Sequence, residues 1–382
     1  MTRRLKVMLV AGEPSGDVLG ASLMQALRHR VDGITFIGIG GPKMALEGLL
    51  SVLPIQDLAV MGLVEVLPRI ATLLRHLRRT AEFARREQPD VLVTIDAPGF
   101  NFRLARRLAD TNIPRVHYVA PSVWAWRPGR AKKIAPLFDH LLALLPFEPP
   151  YFEAVGLATT FVGHPALERE WRVDPNQFRT RHDIAADDPI LLVLPGSRRS
   201  ETDRLLPIFG ATVQELCAEN SRLRIVVPTV DGVEDVVRRS TAAWPGNPIV
   251  ITGDEEKVAA FSGATAALVA SGTISLELAL AGVPTVVAYD VNPITAYITK
   301  RLVKTRYVSL VNIIAGREIL PEYLLRDCRA ELLVPAVSRL LSDGDARDEQ
   351  RTAASGAIDA LRPPHGSPSD AAAEAVLALV QP

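Results

Sequence analysis

Between Lys257 and Asp290 the chain carries one charged side chain, Glu277, which sits just past an apparent strand-turn-helix junction, Leu268-Val269-Ala270-Ser271-Gly272-Thr273-Ile274-Ser275-Leu276-Glu277. The uncharged stretch from 258 to 276 is long enough to suggest a membrane span, but Ser262, Gly263, Ser271, Gly272, Thr273 and Ser275 interrupt it. A buried strand entering a helix fits better. A carboxylate in such surroundings loses several kcal/mol if left without partners, so Glu277 needs something polar to hold. The free N–H groups and positive dipole end of a helix N-terminus converge on one point, which suits a diphosphate. Glu277, about one turn further in, then falls where nucleotide ribose hydroxyls lie in dinucleotide folds. A capping box is the competing reading, yet with Thr273 as N-cap the box position is Leu276. A structural ion pair is the other alternative.

The same device recurs along the chain. Leu5 to Val10 is a nearly continuous apolar run, as a parallel strand covered on both faces requires. It leads through Gly12-Glu13-Pro14-Ser15-Gly16-Asp17 into a helix expected to reach about Arg28. Two acids and two glycines in that loop exceed what an N-cap needs, although Asp17 or Ser15 suits a cap. Thr35 to Ile39 is the next strand. Asp90 to Asp96 follows the same pattern, with Asp96 at its carboxyl end before Ala97-Pro98-Gly99-Phe100-Asn101. A carboxylate on a strand tip is well held for general-base work, and Asn101 is available as the helix cap. Val116 to Val119 precedes a loop with Trp124 and Trp126, which suits either core packing or a sugar or acyl face. His164, between Gly163 and Pro165, reads first as a turn residue.

From Arg169 to Pro189 the chain turns polar, as a linker would. The alternation then restarts with Ile190 to Leu194 and the loop Pro195-Gly196-Ser197-Arg198, where Arg198 offers a planar fork to a pyrophosphate. Strands expected at 224–227, 249–251, 267–269 and 285–288 alternate with helical segments. Asp343 to Pro368 is rich in Ala, Gly, Pro and Ser, and Ala371 to Val380 returns to helix. The expected fold class is α/β, with two doubly wound Rossmann-like domains facing a central cleft, at 1–170 and 171–345. Residues 346–382 form a separate C-terminal segment packing back on the first domain or on a partner subunit.

At 382 residues the chain exceeds one ordinary core, and its 43 Lys+Arg match 43 Asp+Glu, giving no overall attraction to nucleic acid. Cys217 and Cys328 have no metal-ligand spacing and form no disulfide framework, which points to a reducing compartment. The apolar run Val7 to Ala11 is too short for a signal-peptide core, so a cytosolic chain without a spanning helix is expected. Two regions are locally basic. The apolar run Leu58 to Leu67 is followed by Arg69, Arg75, Arg78, Arg79, Arg85 and Arg86, and a second cluster runs from Lys300 to Arg306. A solvated basic helix face is the simpler reading, and an anionic lipid surface the other.

Six motifs together, Gly12 to Asp17 (GEPSGD), Ile95 to Asn101 (IDAPGFN), Pro121 to Arg127 (PSVWAWR), Pro195 to Arg198 (PGSR), Ser271 to Glu277, and Arg301 to Asn312 (RLVKTRYVSLVN), closely resemble the lipid-A-disaccharide synthase family over almost the whole chain. The resemblance implies the GT-B glycosyltransferase fold. It implies inverting transfer of a diacylglucosamine unit from its UDP donor to the 6-hydroxyl of diacylglucosamine 1-phosphate, with no metal and no other cofactor. It also implies peripheral attachment to the inner face of the inner membrane, and a homodimer is consistent with it. On the same basis Asp96 matches the family's base, and Glu13, Ser15, Gly16 and Asp17 match its N-terminal loop, the two acids as catalytic candidates. Arg198, Ser271, Gly272, Thr273, Ser275, Glu277 and Asn312 match residues of the UDP-sugar site. Gly99, where Asp is common, and Asp290, where a basic residue is common, depart from the pattern. The alternatives are a UDP-sugar epimerase of the same fold and a non-catalytic UDP-sugar-binding protein at the membrane.

Overall fold

The computed structural model describes residues 4–58, 70–125, 129–292 and 305–380. Expectations resting on Ala59 to Leu67 with Arg69, on Trp126 with Arg127, and on Lys300 to Lys304 therefore concern residues outside the described ones. The chain divides into two compact units, Met1–Glu168 with Leu361–Pro382, and Arg169–Ala360.

In the first unit the chain runs β1 (Leu5–Ala11), α1 (Pro14–Arg30), β2 (Ile34–Ile39), α2 (Pro42–Leu46), β3 (Leu50–Ser51) and α3 (Ile70–Glu87). It continues through β4 (Val91–Ile95), α4 (Pro98–Arg107), β5 (Arg115–Tyr118), α5 (Arg130–Ile134), β6 (His140–Ala143), α6 (Pro149–Glu153) and β7 (Thr159–Phe161). The second unit opens on α7 (Pro175–Arg181), β8 (Ile190–Leu194), α8 (Arg199–Glu219), β9 (Arg224–Pro228), α9 (Glu234–Thr241), β10 (Ile249–Ile251) and α10 (Asp254–Gly263). It proceeds with β11 (Ala266–Ala270), α11 (Ile274–Ala281), β12 (Thr285–Tyr289), α12 (Leu310–Ala315), β13 (Glu322–Leu324), α13 (Ala330–Ser342) and α14 (Gly344–Asp359). The last helix, α15 (Pro368–Leu377), belongs to the first unit again.

Among the described residues each unit holds one parallel sheet, of seven strands in the order β3-β2-β1-β4-β5-β6-β7 and of six in the order β10-β9-β8-β11-β12-β13. The continuous apolar runs are the buried centre of these sheets: every residue of β4, β8 and β11 is buried. Their Val, Leu and Ile side chains each contribute roughly 1.5–3 kcal/mol when fully buried, and a parallel strand needs both faces covered to gain it. The strand order reverses once in each sheet, between β1 and β4 and between β8 and β11. At such a point the two following connections leave in opposite directions and open a crevice at the carboxyl ends. The registers make these tips level, with Ala11 beside Ile95 and Leu194 beside Val269.

Two expectations about connections are corrected. The supposed linker Arg169 to Pro189 is folded: Asp174 caps α7 by accepting from Asn176 N, and Trp171 and Phe178 are buried. Its charged residues surround those apolar anchors, which a composition average hides. The segment 346–382 is not one body. Its first part is α14, capped by Asp343, in the second unit. Its last part, α15, buries Ala372, Ala373, Val376 and Leu377 in the first unit's core beside Leu23 and Leu27. Arg30 of α1 reaches both Asp370 and Glu374 on that helix.

His117 on β5 gives the first unit an acid sensitivity. Its ring lies 5.0 Å from that of Phe102 and 4.9 Å from that of Phe138, and Nδ1 is 2.8 Å from Thr94 Oγ1. Burial pushes its pKa from 6.5 down to about 3. The folded imidazole stays neutral while the unfolded one takes up a proton, so stability is complete above the unfolded pKa and is lost as pH falls below it. The loss amounts to about 1.4 kcal/mol per pH unit for one group. His117→Phe keeps an aromatic ring in the cluster and removes the proton site. Thermal unfolding at about pH 7.5 and about pH 5.5 is expected to show a smaller acid-induced drop in Tm for the variant, with a difference equivalent to about 1.4 kcal/mol.

Candidate active site

The crevice at the β8/β11 reversal is a cavity of about 480 Å³ whose lining includes Gly196, Ser197, Arg198, Glu201, Thr229, Lys257, Ser271, Gly272, Thr273 and Glu277. That volume suits a small ligand. Gly196 takes φ +109°, and a Cβ there would lie 2.8 Å from Glu201 Oε2, so the loop after β8 can pass over α8 only as glycine. Arg198 is the backbone N-cap of α8, and its guanidinium donates to Glu201 Oε1 at 3.1 Å. With its side chain 68% exposed it is available to an anion in the cavity. Across the crevice the chain leaves β11 through Ser271-Gly272 and enters α11 with Thr273 as N-cap. The first turn of a helix leaves N–H groups without intrahelical partners, and a Cβ built on Gly272 meets nothing within 4 Å, so the turn is open.

Glu277 bonds to Lys257, with Nζ at 3.0 Å from Oε2, so the structural ion pair is present and lies in the cavity wall. Lys257 is also 3.3 Å from Asp254 and 5.9 Å from the Trp171 ring centroid. Sequence reading missed Lys257 as a site residue. It ends the charged run Asp254-Glu255-Glu256-Lys257, which resembles a solvated helix start, and its partner is twenty residues away.

Two substrate-binding expectations are corrected in this unit. Ser275 is fully buried and its hydroxyl donates to Gly272 O at 2.9 Å, so it shapes the turn from inside. Asn312 is also fully buried: Nδ2 donates to Leu320 O and to Glu322 Oε1, both at 2.8 Å, and Oδ1 accepts from Ile319 N at 2.7 Å and Leu320 N at 2.9 Å. Both amide hydrogens and both lone pairs are engaged, which leaves nothing for a ligand. Its effect on the cavity is indirect, since Glu322 holds the amides of Val308 and Ser309, and Val308 O accepts from Ser271 Oγ at 3.2 Å. Asp290 pairs with Arg204 at 3.3 Å.

The β1/β4 crevice of the first unit brings the other two loops together. A Cβ on Gly12 would lie 2.6 Å from Ala97 Cβ, so the loop after β1 touches the loop after β4. Glu13 is the backbone N-cap of α1 and is half-buried, Ser15 is exposed, and Gly16 packs against Ala11 and Ile95. Asp17 overturns its catalytic assignment. It is 4% exposed, Oδ1 accepts from Gly41 N at 2.8 Å and Met44 N at 3.0 Å, and Oδ2 accepts from Lys43 N at 3.0 Å. It caps α2 from outside, because its position on α1 turns it toward the β2–α2 loop.

Asp96 follows the last residue of β4, and its N–H donates to Tyr118 O at 2.9 Å. It takes φ +48° and Ala97 takes +44°, two successive left-handed residues without glycine. The carboxyl group is half-buried; burial pushes its pKa above the usual carboxylate range, and a backbone hydrogen bond from Ala97 pulls it back in part. Asn101 does not cap α4, whose N-cap is Ala97. It lies inside the helix, where Nδ2 donates to Asp96 O at 2.7 Å, Ile95 O at 3.1 Å and Val10 O at 3.4 Å. Trp124 takes the packing role: its ring is 5.1 Å from Phe147, and Nε1 donates to Glu148 Oε1 at 3.1 Å. His164 is a turn residue whose Nδ1 accepts from Ala166 N at 3.2 Å. Among the described residues no group of three or more His, Cys, Asp or Glu is placed to hold a metal ion, and no helix is long and apolar enough to cross a membrane.

Solved structures share this layout. The UDP-GlcNAc 2-epimerase from Neisseria meningitidis bound to UDP-GlcNAc superposes with a TM-score of 0.68 at 14% identity, covering 98% of this chain and 100% of that one. Acinetobacter baumannii MurG does so with a TM-score of 0.55 at 15% identity, covering 98% and 100%. The fold is that of the GT-B glycosyltransferases. Sequence narrows the class: residues 7–376 match the family described as lipid-A-disaccharide synthetase. A lipid-A-disaccharide synthase from Rhodospirillum centenum is 51% identical over 98% of this chain and 95% of its own length. The chain belongs to the lipid-A-disaccharide synthase family and is a glycosyltransferase of lipid A synthesis; the epimerase and non-catalytic alternatives are not favoured.

The placement of Asp17 is directly testable. Replacing it by Ala leaves three amides, two of them buried, without acceptors, and the expected loss is about 2–4 kcal/mol in denaturant unfolding. Turnover per folded molecule is expected to stay within about twofold of normal, whereas a group taking part in proton transfer loses on the order of 10²–10⁴-fold.

Proposed function

We propose that the cavity of the second unit holds the UDP part of UDP-2,3-diacylglucosamine and that Asp96 is the base acting on the 6-hydroxyl of 2,3-diacylglucosamine 1-phosphate. The observation that carries this assignment is the environment of Asp96. A half-buried carboxylate with a raised pKa sits at a reversal crevice on a backbone whose Ile95 and Asp96 carbonyls both accept from the Asn101 side-chain amide. Held this way it accepts a proton without first reorganising. Oxygen O6 of the acceptor gives its proton to Asp96 and attacks the anomeric carbon. The C1–O6 bond forms as the bond from C1 to the diphosphate oxygen breaks, with inversion to a β-1,6 link, and UDP departs with the electron pair. Charge develops on the diphosphate, where Arg198 and the open N-terminus of α11 stabilise it. Glu277 accepts from the ribose hydroxyls, and Lys257 keeps its carboxylate in place. Glu13, beside the Asp96 loop, contacts the acceptor.

Both substrates carry acyl chains, so a contact with the membrane surface is part of this reading, and its candidate is the basic helix α3. Arg75, Arg78, Arg79, Arg85 and Arg86 are exposed on α3, with Leu74 exposed among them. Arg78, Arg85 and Arg86 face Glu82, Asp110 and Glu87. The basic face of α3 rests on anionic headgroups.

Four measurements test these assignments. Asp96→Asn is expected to lower kcat by on the order of 10²–10⁴-fold, with UDP affinity by calorimetry unchanged; near-normal turnover removes Asp96 as base. In the active protein the acid limb of kcat/KM is expected above the pH range of an ordinary carboxylate, because the base must be ionised and its pKa is raised. Lys257→Met is expected to weaken UDP binding by about 5–30-fold, the loss of one charge-assisted contact. The paired reversal Arg75→Glu, Arg79→Glu is expected to reduce sedimentation with phosphatidylglycerol-containing vesicles by about 30-fold or more in partition coefficient, from about 1 kcal/mol per basic residue. Unchanged partitioning removes α3 as the contact.

A further inference from the structure

We propose that Asn101 is a positioning residue for the transfer reaction, acting through the backbone of Asp96 and through the tip of β1. This rests on the reading of Asp96 as the base. The side chain of Asn101 is fully buried in α4, and its Oδ1 has no hydrogen-bond partner among the described residues. An apolar residue of the same shape would suit both the helix and its buried surroundings better, since a buried acceptor without a donor is destabilising. The amide nitrogen is what distinguishes asparagine here. It is shared by the carbonyl oxygens of Asp96 at 2.7 Å, Ile95 at 3.1 Å and Val10 at 3.4 Å, which belong to two separate stretches of chain.

These carbonyls lie where the backbone is under most constraint. Asp96 and Ala97 both sit in the left-handed region, which L residues without special support leave. If φ of Asp96 relaxes to the right-handed or extended region, its Cα–Cβ bond swings to another side of the chain and the carboxylate leaves the crevice. The contact with Val10 O holds the end of β1, two residues before Gly12, whose own contact with Ala97 leaves no room for a Cβ. One amide thus fixes the direction of the Asp96 side chain and the approach of the Gly12-Glu13 loop to it. Its loss affects the rate of the chemical step, because a displacement of about 1 Å at a reacting group lowers rate by up to about 10²-fold. It leaves donor affinity alone, since the cavity lined by Arg198 and Glu277 belongs to the other unit.

The test uses the full-length enzyme with both acylated substrates and compares Asn101→Leu, close in shape but without a donor, with Asn101→Ala and Asp96→Asn. The two Asn101 variants are expected to keep near-normal circular dichroism and UDP affinity, and donor KM within about twofold. Their kcat is expected to fall at least about tenfold, and the acid limb of the kcat–pH profile to move. Asn101→Ala serves if the leucine methyl groups disturb folding, and Asn101→Leu if the alanine void does. A folded Asn101 variant with normal kcat and pH profile, beside an inactive Asp96→Asn, overturns the positioning role alone. So does a kcat that falls only in step with the folded fraction, or a raised donor KM at unchanged kcat. Near-normal turnover in Asp96→Asn overturns the base assignment, and the role of Asn101 with it.

Discussion

Parallel pairing at the two strand-order reversals, β1 with β4 and β8 with β11, is the constraint on which the site residues depend. Each pair ends level, so two loops that are about 80 residues apart in sequence emerge side by side, Gly12 with Ala97 and Gly196 with Ala270. The pairing is stabilised by burial on both faces, and burial on both faces is why the strands read as uninterrupted apolar runs. Both crevices follow from hydrophobic burial and strand topology before any polar residue is considered. The polar residues then act on a support whose position is already fixed.

Within that support the two units use charge differently. The cavity of the second unit combines cations and open helix N–H groups with two acids that are already paired, Glu201 with Arg198 and Glu277 with Lys257. Such pairs orient their members without consuming all of their hydrogen-bonding capacity, since a carboxylate has about four lone-pair sites. The cavity lining thus contains two cations, Arg198 and Lys257. In the first unit the Asp96 carboxylate is less hydrated than at a surface, and burial raises its pKa. In the reading proposed above, these features serve the two electrostatic requirements of glycosyl transfer, stabilising a departing anion and accepting a proton from an alcohol.

Most of the fold is legible in the sequence because period and length identify buried parallel strands: Ile190–Leu194 and Ile249–Ile251 fall on the expected residues, and others differ by a residue or two at their ends. The short edge strands β3, β7 and β13 are not visible in the sequence, since two or three residues carry no period. The folded nature of 169–189 was hidden by its charge. Trp171, which stacks on Phe261 at 6.4 Å, and Phe178 are the buried aromatics of that polar stretch. The division of the tail was hidden for another reason. The apolar face of α15 identifies a packed helix but not the core that receives it.

Site residues were harder to read than strands because residue type does not say where a polar group's partners are. Asp17, Asn312 and Ser275 have the chemistry of ligand-binding groups, and in each the hydrogen bonds close inside the protein. For Asp17 the acceptors' partners lie 24 to 27 residues away, on a different loop. Asp96, Arg198 and Glu277 share the same chemistry but keep unused capacity beside a crevice. The distinction is one of saturation, and only three-dimensional structure counts donors against acceptors. Asn101 falls between the two groups, with its donors engaged and its acceptor without a partner among the described residues. A buried polar group left half-satisfied persists where removing it would release something else, and here that is the left-handed backbone of the carboxylate beside it.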